Sequence, residues 1–68
     1  MNITLRLIDG TEIEAEKGAI IKINGVKLFS VINFTLNTNK GEQFKSATDT
    51  LHIPLTSILW WGHSKQSK

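Results

Sequence analysis

Apolar and polar residues alternate with a period of two along most of this chain, the pattern of strands with one buried face. Ile3, Leu5 and Leu7 point one way and Asn2, Thr4 and Arg6 the other, and Asp9-Gly10 then predicts a tight hairpin turn. The alternation resumes over Thr11–Glu16, with Ile13 and Ala15 inward and Glu12, Glu14 and Glu16 in water; Lys17-Gly18 predicts a second turn. Ala19–Ile23 is short and β-branched, which favours a strand over a helix. Asn24-Gly25 is the strongest short hairpin signal in the chain. From Val26 to Leu36 the even positions Val26, Leu28, Ile32, Phe34 and Leu36 are apolar, with Ser30 the exception, and predict the core face of a long strand. Thr38–Ser46 is polar, with Gly41, and predicts a loop or a flexible hairpin tip, and Thr48–Ile53 predicts a strand with Leu51 and Ile53 inward. Pro54 cannot donate to a ladder and marks the end of that strand or an edge of the sheet. Leu55–Ile58 can form one helical turn, and Leu59-Trp60-Trp61 a last short strand.

These elements predict an all-β fold, a small antiparallel barrel or strongly bent sheet of five to six short strands. Connections this short exclude the crossovers that parallel strands require. One domain spans residues 1–62, and residues 63–68, with no apolar side chain, are expected to form a flexible tail. The opening strand, Asp-Gly turn and second strand over Ile3–Glu16 resemble the start of Sm-like and Src-homology-type small β-barrels. Leu51–Trp61 is similar to their close, in which a strand, a one-turn helix and a short strand shut the barrel. The resemblance implies a fold rather than an activity, because such barrels host many unrelated functions. The chain lacks the polar nucleotide-contact motif of Sm proteins, so RNA binding is not implied.

Size sharpens the picture. At 68 residues, close to the ~60-residue domains that bury only about 60% of their unfolded surface, stability is marginal without a staple. The chain has no cysteine, which excludes disulfides, thiolate metal sites and thiol nucleophiles. His52 and His63 lie 11 positions apart and match no helical ligand pair, so neither a metal nor a cofactor is expected. No apolar run reaches the length of a membrane span, and the expected setting is the cytoplasm. Oligomerisation is the support that remains. The net charge of +2 resides wholly in residues 35–68, where Lys40, Lys45, Lys65 and Lys68 face only Glu42 and Asp49.

Candidate chemistry is sparse. His52 and Asp49 differ by an odd number on one strand, so no nucleophile–base–orienter set forms and catalysis is not expected. The row Glu12, Glu14 and Glu16 reads as a solvated face balanced across neighbouring strands by Arg6 or Lys22. The most informative feature is surplus hydrophobicity. With Leu28 and Ile32 inward, Phe29 and Val31 occupy the opposite face of the same strand, and Ile20-Ile21 and Leu59-Trp60-Trp61 are also apolar on both sides. A domain with one interior must cover its second face, either with the Thr38–Ser46 loop or with another chain. The interface is the favoured reading, with Phe29, Val31, Trp60 and Trp61 as its residues. The expected function is a small non-enzymatic binding or regulatory module acting through protein–protein contacts, with itself as a homo-oligomer, a dimer, and with another protein. In style the chain resembles accessory proteins and inhibitors of phages and mobile elements. One alternative is a nucleic-acid-binding small barrel using Lys40, Lys45, Lys65 and Lys68 on phosphates, and the other is a structural subunit of a larger assembly.

Overall fold

Asn24 and Gly25 both adopt positive φ, 51° and 79°, and close a two-residue hairpin whose twist suits the flanking strands. That hairpin joins two of the three long strands that organise the molecule. The structure, a computed structural model, describes residues 2–64. Strands β1 (Asn2–Leu7), β2 (Glu12–Ile23), β3 (Val26–Asn37) and β4 (Gln43–Pro54) follow one another as a meander. A single 3-10 turn, Leu55–Ser57, then leads into β5 (Ile58–Ser64). All pairings are antiparallel, in the order β4-β3-β2-β1-β5. The sheet does not close on itself, so the bent sheet, rather than the barrel, describes the fold.

A turn forms at Asp9-Gly10, but as a three-residue loop, Ile8 to Gly10, closed by the Leu7 N–H on the Thr11 carbonyl oxygen, rather than as a two-residue turn with positive φ at both positions. Gly10 takes a φ of 94°, and the Thr11 N–H donates to Asp9 Oδ1 at 2.9 Å. That bond holds the Asp9 carboxyl below the usual carboxylate range. The Asn39 side chain donates to the Asp9 carbonyl oxygen at 2.8 Å and ties this loop to the one between β3 and β4. The Ile8 N–H donates to the Ser57 carbonyl oxygen at 3.0 Å, which fixes the 3-10 turn beside the same loop.

Three boundaries differ from the sequence expectation. Lys17-Gly18 is no turn, because β2 runs unbroken from Glu12 to Ile23. The expected loop shrinks to the Thr38–Glu42 turn, since polar Gln43–Ser46 pairs with Asn37–Phe34 on the sheet edge. The expected tail begins too early: His63 and Ser64 pair with Ile3 and Asn2, because ladder bonds need no apolar side chain. Lys65 and Lys68 lie outside the described residues.

One core holds the sheet together: Ile3, Leu5, Ile13, Ala15, Phe29, Val31 and Ile53. Leu5, Ile13 and Val31 are completely buried. A flat sheet could not bring Phe29, Val31 and Ile53 onto Ile3 and Leu5 of β1, which lies two strands from β3; the sheet must fold over. The fold line crosses three strands side by side. In β3 it is Asn33, with a φ of 52°. In β4, Ala47, Thr48 and Asp49 span the interval opposite that single residue, between the pairs Ile32↔Thr50 and Phe34↔Ser46. In β2 it passes at Glu16-Lys17, where Glu16 Oε1 accepts a bond from the Asn33 amide at 2.8 Å. Beyond the line the burial phase reverses. Ile13, Ala15, Phe34 and Leu36 face inward on one side of it; Gly18, Phe29 and Val31 do so on the other.

Gly18 explains why the strands can close here. A Cβ at this position would stand 2.7 Å from Phe29 Cε1 and 3.1 Å from both Ile3 Cδ1 and Val31 Cγ1. Its missing side chain is the seat of the Phe29 ring. Gly18→Ala should therefore cost about 1–3 kcal/mol through overpacking. Gly62→Ala, whose Cβ would meet only Trp60 at 4.0 Å, should stay within about 0.5 kcal/mol of the parent chain. Urea unfolding followed by circular dichroism compares the two, and equal stability of both variants would remove Gly18 from its role.

Candidate interaction surface

Beyond the fold line, three strands present an outer face built as four rows of cross-strand neighbours. The first row is Ile23 and Val26, and the second Ile21, Leu28 and Pro54. The third is Ala19, Ser30 and His52, and the fourth Lys17, Ile32 and Thr50. Antiparallel partners share a face, so these side chains stand together on the side away from the core. Ile23, Val26 and Ile32 are 43%, 52% and 41% exposed. The small side chains of the third row leave an open hollow of about 340 Å³, lined by Lys17, Gly18, Ala19, Ile21, Ser30 and Ile32. That size is at the low end of small-molecule sites, ~300–1,000 Å³, and the hollow is a depression in a sheet rather than a cleft.

This placement corrects the expected interface. Phe29 and Val31 are core residues, 3% and 0% exposed, and they cannot meet another chain. Leu28 and Ile32 take the outer face instead. The physical reason is the reversal at Asn33: the even positions Phe34 and Leu36 pack against the core after it, and the odd positions do so before it. The expected surplus of hydrophobicity exists, but on the opposite face of β3.

The tryptophans stand on opposite faces of β5. Trp61 lies across from Leu5 and meets the Phe29 ring edge-on, with centroids 5.0 Å apart. Trp60 lies across from Arg6 on the outer side. Neither is buried, at 44% and 48% exposed, because β5 is an edge strand with a register shift beside Leu59.

The charged candidates are dispersed. Lys40 lies in the Thr38–Glu42 turn, whereas Lys45 is paired across from Thr35 on β4. Arg6 donates to Glu12 at 2.9 Å, so the acidic row is balanced there as expected, and Glu16 is held by Asn33. Lys22 does not balance it. It stands directly opposite Lys27 at the hairpin tip, a pair of like charges that the sequence reading missed although the Asn-Gly register specifies it. His52 is exposed opposite Ser30, and among the described residues no group of acids and histidines is arranged to hold a metal. Among the described residues Thr11 is the only buried polar one, and no helix is long and apolar enough to cross a membrane.

No protein-family model, curated protein or solved structure matches the chain. The surface must be judged on its own chemistry.

The two faces of β3 should respond oppositely to the same substitution. Phe29→Glu or Val31→Glu places a carboxylate in the core and should abolish folding. Ile32→Glu should cost about 1 kcal/mol or less, since its side chain already meets water. Circular dichroism and denaturant titration distinguish these outcomes, and a folded Phe29→Glu protein would return Phe29 to the surface.

Proposed function

We propose that this protein is a non-enzymatic binding module that works through protein–protein contacts, with the outer face of the β2–β3 hairpin as its contact surface. The observation that carries this reading is the apolar row structure just described. Ile21, Ile23, Val26, Leu28 and Ile32 crowd one face of a molecule with a total surface of only 4801 Å². Contiguous apolar patches on small domains mark partner surfaces more often than accidents of composition. The polar side chains of the face are Lys17, Ser30, Thr50 and His52, of which Lys17 and Ser30 line the shallow hollow, a set suited to framing a docked chain. The likeness to Sm-like and Src-homology-type small barrels belongs to the same reading. It is supported by the one-turn 3-10 element between the fourth and fifth strands and by the return of β5 to β1. A reducing compartment, the cytoplasm, suits a chain without cysteine.

The test is affinity capture from the native host with the parent chain and with an Ile21→Glu/Ile32→Glu double variant of verified fold. A protein partner held by the parent and lost by the double variant is expected, unchanged by nuclease treatment. Equal capture by both chains, or loss on nuclease treatment, would overturn this reading.

A further inference from the structure

We propose that the partner of this face is a second copy of the chain, with the Ile21–Leu28 ridge of each copy seated in the Ala19–Ser30 hollow of the other. The inference rests on the outer face being the contact surface, and the order of its rows carries it. Successive rows on one face are two residues apart, roughly 6.6 Å along the strands. The ridge and the hollow are adjacent rows. A two-fold axis lying between the two copies, parallel to the rows and midway between ridge and hollow, therefore places each ridge over the other copy's hollow. Ile21 then lies over Ala19, Leu28 over Ser30 and Pro54 over His52. The same operation carries the outer rows onto each other. Val26 meets Ile32, two of the most exposed aliphatic side chains on this face, and Ile23 covers the alkyl stem of Lys17.

Such an interface is isologous and self-closing, so it ends at two copies. Sheets packed this way lie about 10 Å apart with strand directions within roughly 30° of alignment, a spacing that side chains alternating large and small can fill. The charges agree. Lys17 is the one ionisable lysine or acid in the four rows, and the symmetry sends the two copies of it to opposite ends of the interface. They stand on the order of 20 Å apart, beyond the ~8 Å range of charge repulsion at physiological salt. The area sets the strength. Three strands and four rows per copy bury less than ~1,200 Å² in total, which belongs to reversible complexes rather than obligate dimers. A dimer that forms and dissociates in the micromolar range is the consequence.

Sedimentation equilibrium over rising protein concentration, with fold checked by circular dichroism, tests this. The parent chain should pass from monomer to dimer. Ala19→Leu should weaken association at least roughly tenfold by filling the hollow, although it adds apolar surface. An unspecific sticky face would instead associate more strongly with that change. Because the chain has no cysteine, disulfides supply a second readout. A Val26→Cys chain mixed with an Ile32→Cys chain should oxidise to a linked dimer, and neither chain alone should. A monomer up to about 1 mM, tighter association of Ala19→Leu, or self-linking of Val26→Cys would each overturn the paired copies. If the chain is monomeric yet the Ile21→Glu/Ile32→Glu variant still loses a captured protein, the surface binds a different chain and the binding-module reading stands.

Discussion

The close approach of the Phe29 ring to the backbone of Gly18 is the constraint on which the rest of the structure depends. A sheet of five strands has only one core to offer, and it can make that core only by folding over. Where it folds, β2 and β3 must come near β1 without the bulk of a side chain between them. Gly18 supplies that space, and Phe29, Ile3 and Val31 fill it. The cost of a glycine within a strand, loss of packing and greater chain entropy, is offset by an aromatic side chain seated against backbone.

Asn33 performs the complementary task. A left-handed residue within a strand is a local defect, tolerated by asparagine better than by β-branched neighbours. It changes which residues of β3 meet the core. Without the reversal, Phe29 and Phe34, five positions apart, could not both turn inward. The Glu16 carboxylate that accepts from the Asn33 amide secures the defect from the neighbouring strand. The outer apolar face is thus a by-product of bending: turning the odd positions inward before Asn33 sends Leu28 and Ile32 outward.

The fold class and the inward residues of β1, the second half of β4 and the first half of β2 were legible in the alternation, and the two turns in Asp9-Gly10 and Asn24-Gly25. What was not legible had a common origin. A strict period of two through Val26–Leu36 holds only from Phe34 onward. Both faces of the segment before it are apolar, so hydrophobicity could not decide between them. The deciding signals were steric: an asparagine in mid-strand and a glycine that belongs to no turn. Lys17-Gly18 resembles a hairpin turn, yet Gly18 lies across from Val31 of β3 and its space is taken by Phe29. Alternation alone therefore puts Phe29 and Val31 outward, whereas the bend buries them and exposes Ile32.

The stretch Ala47–Asp49 has a consequence beyond curvature. An open sheet leaves β4 with unpaired N–H and C=O groups along its outer side, a template onto which another extended chain could add. Here that edge is interrupted. Ser46 Oγ donates to Asp49 Oδ2 at 2.9 Å and accepts from the Asp49 N–H at 3.0 Å, drawing the backbone into a small knot. Pro54 ends the same edge without a donor. The irregularity that lets the sheet fold also denies its margin a long straight run, and so protects a small protein with a free border from fibrous growth.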